Sequence, residues 1–247
     1  MSPTRPTIGD VRLGADRPAA IVPLLAASAD DLLAQAQAVA ASDADLVEWR
    51  ADAYTGTTAV PDLAAELRGI VGRPLIGTVR TRAEGGAFDG DDDAYATLVT
   101  TLMACQDLDA LDVETARSAS GDLIAAAHAR GVVVIGSHHE PTATPAPADL
   151  RALLDVLDGS GADVVKLAVL AATPADSAAL LGATAEFTSR AAHPAITMAM
   201  GEAGLVTRLI GHRFGSCATF AVVAAASAPG QPGLAYLRAV WAALGDA

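Results

Sequence analysis

One lysine carries the most distinctive chemistry in this chain. Lys166 is the only lysine among 247 residues, and the other fifteen of the sixteen Lys and Arg residues are arginine. It sits in the run Asp163-Val164-Val165-Lys166-Leu167-Ala168-Val169-Leu170. A short apolar run rich in β-branched residues reads as a buried β-strand. A lysine on a solvent-facing edge can lay its stem on apolar surface and keep its head in water. Here the residues on both faces are apolar, so the strand offers no wet side. Lysine is rarely buried without a reason. Arginine stays protonated, whereas a buried lysine amine can lose its proton and attack a carbonyl. The chemistry this suggests is a Schiff base.

Other polar residues fall where buried strands should end. Glu48 and Arg50 stand two apart, as do Asp112 and Glu114, so each pair shares one face of its strand. Arg80 ends a third apolar run and Glu84 follows in its loop; His138 and His139 end another run, and Arg208 follows a later one. Taken singly, each has a bland reading as an ion pair, a packing residue or a solvated loop charge. Their joint placement is the signal. Adjacent histidines point to opposite faces of a strand, so only one of the two looks inward. Asp112, Glu114, His138 and His139 therefore make a poor metal site, and no H-x-x-x-H or C-x-x-C spacing occurs. Gly85-Gly86 follows the third strand, where a barrel does not keep its phosphate site.

The elements that must position these residues alternate strictly. Strands are expected over 21–25, 45–50, 74–80, 110–114, 132–139, 163–170, 194–200 and 215–220. Helices are expected over 28–41, 61–71, 91–105, 118–130, 148–157, 174–190, 205–212 and 233–244. Strict βα alternation implies a parallel sheet. Eight units in about 250 residues is the usual size of a (β/α)8 TIM barrel, an α/β fold whose active site lies at the C-terminal ends of the strands. An open doubly wound sheet is the alternative, but no G-x-G-x-x-G follows the first strand. Residues 1–247 are read as one barrel domain, with 1–18 a Pro-rich N-terminal extension.

Composition narrows the partners. The net charge is −13 and the pI about 4.6, which argues against nucleic acid and anionic membrane surfaces. No stretch approaches the ~20 apolar residues of a membrane span, and residues 1–20 lack the apolar region of a signal peptide. Cys105 and Cys217 fit neither a disulfide framework nor a metal cluster. A cytoplasmic enzyme acting on a small molecule is expected.

Several short motifs together resemble the type I 3-dehydroquinate dehydratase family. They are Val47-Glu48-Trp49-Arg50-Ala51-Asp52, Thr78-Val79-Arg80 with Glu84-Gly85-Gly86, Asp112-Val113-Glu114, Ser137-His138-His139, Val165-Lys166-Leu167-Ala168, Thr197-Met198-Ala199-Met200, Phe214-Gly215-Ser216 and Ser227-Ala228-Pro229-Gly230-Gln231. The resemblance implies a TIM barrel that dehydrates 3-dehydroquinate to 3-dehydroshikimate. It implies that Lys166 forms the imine, that His139 is the general acid/base, and that Glu84 orients His139. It gives Arg208 the substrate carboxylate, and Glu48, Arg50 and Arg80 the hydroxyls and the order of the site. Ser227 and Gln231 come from the last loop, which closes over the substrate. Family members are commonly homodimers and need no metal or organic cofactor. Three residues depart from the common pattern: Pro23 replaces a frequent serine, and His138 and Glu140 flank His139 where Asn and Asp are frequent. The rival readings are a class I Schiff-base aldolase and a non-catalytic carboxylate-binding barrel.

Overall fold

Side chains along a β-strand alternate between two faces, and in a closed barrel one of those faces looks away from bulk solvent. The structure, a computed structural model, describes residues 5–14, 17–223 and 228–246. Along them run β1 (Ala19–Leu24), α1 (Ala29–Ala40), β2 (Leu46–Arg50), α2 (Val60–Val71), β3 (Leu75–Thr78), α3 (Asp92–Met103), β4 (Ala110–Glu114) and α4 (Ser120–His128). Then come β5 (Val133–Glu140), α5 (Pro147–Asp158), β6 (Val164–Leu170), α6 (Pro174–Thr188), β7 (Ala195–Met200), α7 (Leu205–Ile210), β8 (Ala218–Phe220) and α8 (Leu234–Leu244). The strands pair in parallel in the order β8-β1-β2-β3-β4-β5-β6-β7. The seam between β7 and β8 is drawn together by a bridge of Ala195 to Ser216. There Cys217 N donates to Ala195 O at 2.7 Å, and Thr197 N donates to Ser216 Oγ at 3.0 Å. This is the expected (β/α)8 barrel. Among the described residues no helix is long and apolar enough to cross a membrane.

Local sequence explains where the elements start and stop. Ser28 caps α1 by accepting from Asp31 N, and Thr173 forms a capping box with Asp176 at the start of α6. Gly72, at φ +59, ends α2. The expected eighth strand began at residue 215, yet Gly215 (φ +99) closes a 3-10 turn over Gly211–Phe214, and β8 starts only at Ala218.

Strands β2 to β6 climb from apolar to polar along their inward faces, while β7 stays apolar through Ile196, Met198 and Met200. Leu46, Ile76, Ala110, Ile135, Val164 and Ile196 belong to one buried cluster low in the barrel. Two residues on, the same faces carry Glu48, Thr78, Asp112, Ser137 and Lys166, all buried. Two further on come Arg50, Arg80, Glu114 and His139. The outward faces pack on the helices, with Trp49 in one cluster with Leu32 and Leu63. On the opposite side Leu167 and Val169 share a cluster with Leu154 and Phe187.

The N-terminal stretch is more than a tail. Thr7–Ile8 and Val11–Arg12 form an antiparallel hairpin around Gly9 and Asp10. Glycine at the first position of a two-residue turn, with φ +59, is what a type II′ turn asks. Strands two residues long are too short for periodicity to reveal. Ile8 and Leu13 are fully buried in the same cluster as the low inward residues, so the hairpin region stoppers the N-terminal end of the barrel. Leu13→Ala should therefore cost about 2–5 kcal/mol, the range for emptying a buried leucine site. Urea denaturation measures it, and a loss under about 0.5 kcal/mol would show that the stopper is not part of the core.

Candidate active site

The polar tier opens into a cavity of about 200 Å³. Glu48, Arg50, Arg80, Glu84, His139, Lys166, Arg208 and Gln231 all line it. Of the residues singled out from the sequence as candidate site residues, Ser227 alone lies outside the described residues. Pro23 is buried in β1 in register with Glu48, and it does not line the cavity.

Lys166 is 4% exposed. Its Nζ lies 2.7 Å from Asp112 Oδ2 and 3.4 Å from Glu48 Oε1. Glu48 is itself held by the Thr78 hydroxyl at 3.0 Å. The Phe220 ring from β8 lies beneath the amine, with its centroid 4.6 Å from Nζ. The lysine is thus fixed from three strands.

Arg80 follows β3 and joins more of the site than any other residue. Its Nη1 donates to Glu84 Oε2, Glu114 Oε1 and Ser137 Oγ at 3.0, 3.0 and 3.1 Å, and its Nη2 donates to Asp112 Oδ1 at 2.7 Å. Burial would lower the basicity of this guanidinium, but Asp112, Glu84 and Glu114 raise it further. Asp112, in turn, is held far below the usual carboxylate range against burial by Arg80 and Lys166. Burial raises Glu114, with Arg80 opposing. Glu114 also receives Thr81 N and the Thr81 hydroxyl at 2.7 and 2.8 Å.

Glu84 reaches the site because of a tight turn. Arg82–Glu84 is one turn of 3-10 helix ended by Gly85 at φ +83. Gly86 then passes so close to the chain that a Cβ there would sit 2.1 Å from Arg80 O. The turn sets Glu84 Oε2 at 2.9 Å from His139 Nδ1. Burial alone would push Glu84 up, yet hydrogen bonds from His138 and His139 and the charge of Arg80 hold it at about 2. Burial, with Arg80 and Lys166, drives His139 down to about 3 although Glu84 opposes. His139 is therefore a neutral imidazole, and the carboxylate at Nδ1 leaves Nε2 as the basic nitrogen.

Alternation places His139, and not His138, on the cavity lining. The expectation that His138 faces away from the site needs correction all the same. Its Nδ1 lies 3.5 Å from Glu84 Oε1, and its Nε2 lies 2.9 Å from Glu140 Oε1. Glu84 sits over the end of β5 and has two oxygens, so both neighbouring imidazoles reach it. These contacts raise His138 to about 9.

The two remaining arginines contrast. Arg50 forms a bidentate pair with Asp52, with both contacts at 2.8 Å. Arg208, on α7, is 1% exposed and has no acidic partner within 4.0 Å among the described residues. Among the described residues its Nη1 meets Met198 Sδ, at 3.3 Å, and its Nε has no partner. Burial lowers it to about 10, so it remains a cation at neutral pH. A buried cation facing a cavity with no carboxylate of its own is a site for an anionic ligand.

Comparison with known proteins decides the family. The profile described as Type I 3-dehydroquinase matches residues 20–247. The chain belongs to the type I 3-dehydroquinase family. A 3-dehydroquinate dehydratase of Lactiplantibacillus plantarum is 40% identical to it over 93% of each chain. One from Klebsiella pneumoniae is 38% identical over 89% of this chain and 90% of that one. The crystal structure of the Geobacillus kaustophilus 3-dehydroquinate dehydratase superposes with a TM-score of 0.92 at 32% identity, covering 99% of this chain and 97% of that one. A type I enzyme from Clostridium difficile, described with covalently modified comenic acid, gives 0.91 at 31% identity over 98% of each. Membership makes this chain a hydro-lyase and removes the aldolase alternative.

Within this family site, sequence reasoning noticed Asp112 and Glu114 without giving them a task. Asp52, Ser137 and Phe220 went unassigned. Inward alternation from Ala218 was the available signal for Phe220. The titrating groups also make stability depend on pH. Glu84 and His139 bind fewer protons folded than unfolded, so the contribution of His139 falls as pH drops from 6.5 toward about 3, and that of Glu84 as it drops from 4.5 toward about 2. Glu114, raised by burial, opposes this in part. His138 binds more protons folded, so its contribution falls as pH rises from 6.5 through about 9. Denaturation midpoints should therefore peak near about pH 6.5 and decline on both sides. A midpoint still rising at about pH 9 would contradict the charge assigned to His138.

Proposed function

We propose that this chain dehydrates 3-dehydroquinate to 3-dehydroshikimate through a Schiff base on Lys166, with His139 moving the protons. The observation that carries the reading is the shared cavity: a sole buried lysine, a neutral histidine and an arginine without a carboxylate all face it. The covalently modified ligand described for the Clostridium difficile relative supports a covalent route.

The substrate is a cyclic β-hydroxy ketone with a carboxylate. Arg208 supplies a planar fork of donors for that carboxylate. This is how a protein of net charge −13 binds an anion: the local charge decides. The Lys166 amine adds to the ketone, and loss of water gives a protonated imine. Ammonium and iminium carry the same charge, so the ion pair with Asp112 serves both states. His139 Nε2 then takes the proton from the carbon next to the iminium, whose positive charge accepts the electron pair as an enamine. The enamine expels the hydroxyl while His139 returns its proton, so that water leaves and a conjugated iminium remains. Hydrolysis releases product and restores the amine. Glu84 keeps His139 in one tautomer throughout, and Arg50 and Arg80 order the walls. Gln231 closes the cavity from the loop before α8, where Gly230 packs so tightly that a Cβ would sit 2.3 Å from Gly201 O.

Borohydride added with substrate should attach ligand to the Lys166 peptide and to no other, read by peptide mass analysis. Lys166→Arg should be as inactive as Lys166→Ala, because arginine keeps the charge and cannot form the imine. Full inactivation with an unmodified Lys166 peptide would falsify the covalent role. Arg208→Ala should raise KM roughly ten- to a hundredfold, the worth of one charge-assisted hydrogen bond. Steady-state kinetics tests this, and an unchanged KM moves the carboxylate to Arg50 or Arg80.

A further inference from the structure

His138 stands at the end of β5 beside the reaction, and the mechanism above does not use it. It stands beside His139 on β5, and its side chain is 19% exposed. Together the contacts form a chain: Glu140 Oε1 to His138 Nε2 at 2.9 Å, His138 Nδ1 to Glu84 Oε1 at 3.5 Å, and Glu84 Oε2 to His139 Nδ1 at 2.9 Å. It runs from a partly exposed carboxylate to the imidazole on the cavity. Resting on the functional reading above, we propose that His138 is a positioning residue: by holding one oxygen of Glu84, it keeps the other on His139 and sets the orientation and basicity of that imidazole.

Rotation of the carboxylate about its Cγ–Cδ bond moves both oxygens together, so a hold on either one steadies the other. Arg80 and His139 both bind Oε2. Among the described residues His138 is the group beside Oε1. The charges facing His138 are Glu84, from the turn after β3, and Glu140, from its own strand. On the neighbouring strands, β4 ends at Glu114, which belongs to Arg80, and β6 sets Leu167 beside His138. The shorter contact is to Glu140, but Glu84 is 7% exposed against 36% for Glu140. Its charge is less screened, and it is the stronger reason that His138 keeps its proton up to about 9. His138 is thus a cation beside Glu84 at neutral pH. That cation draws on the same carboxylate that would otherwise raise the basicity of His139, and it repels a proton on His139. Both effects favour the neutral form of His139.

The test uses His138→Leu and His138→Asn, the second keeping an N–H donor near Nδ1 without a titrating charge. Turnover of 3-dehydroquinate by the unaltered protein is measured first. The kcat/KM profile should fall above about pH 9 as His138 loses its proton, and that fall should vanish in both variants. At neutral pH, His138→Leu should lose about tenfold, the weaker end of a charge-assisted hydrogen bond, and His138→Asn should recover part of that loss. Imidazole nitrogen NMR of the free protein reads the same claim without turnover: His139 should titrate at higher pH in His138→Asn than in the unaltered protein. An active protein whose profile neither variant moves, or an unshifted His139 titration, overturns the assignment and leaves the functional reading intact. An inactive unaltered protein overturns the functional reading, and the NMR titration still decides what His138 does to His139.

Discussion

The site hangs on one buried guanidinium. Arg80 binds Asp112, Glu84 and Glu114 at once, and each of these goes on to a different task. Asp112 holds Lys166, Glu84 holds His139, and Glu114 holds the backbone where the chain turns after β3. Burying one charge without partners costs several kcal/mol. Gathering three carboxylates around Arg80 offsets that cost and also fixes the distance between Lys166 and His139. Neither Lys166 nor His139 could be moved without disturbing this centre.

Arg80 also explains why the barrel is layered. A buried charge network needs an insulated floor, and the ring of Leu46, Ile76, Ala110, Ile135, Val164 and Ile196 provides it. The hairpin region seals that floor from below through Ile8 and Leu13. Among the described residues the charged tier opens toward the cavity at the C-terminal ends of the strands. Arg208 is the counterpoint. Arg80 is satisfied by the protein itself, whereas Arg208 is buried without a counter-ion among the described residues.

Much of this was legible in the chain. The alternation of apolar runs revealed eight strands and eight helices, because a parallel strand and its crossover helix have different periods. The burial of the sole lysine was legible, because a strand with two apolar faces gives it nowhere wet to go. What stayed hidden has a common cause. Asp112 as the partner of Lys166 is a contact across 54 residues, and Arg80 to Glu114 is one across 34. Strand spacing says which face a side chain takes, not which neighbour across the barrel it meets. The role of His138 was missed because alternation treats a carboxylate as a point, while Glu84 offers two oxygens and can reach both sides of a strand end. The hairpin over Thr7–Ile8 and Val11–Arg12 escaped because two-residue strands have no period to read, although Gly9-Asp10 marked the turn.

The burial of Lys166 reaches beyond catalysis. Apart from five histidines, every other basic side chain is an arginine, so the protein meets solvent with guanidinium groups and its one lysine is only 4% exposed. Acetylation, methylation and ubiquitin attachment at lysine have a single address, and it lies inside the cavity. Any lysine modification of this protein is therefore an event at the cavity, and a tag that needs an exposed lysine finds none. Amine-reactive labelling located on the Lys166 peptide would report on whether that cavity is open.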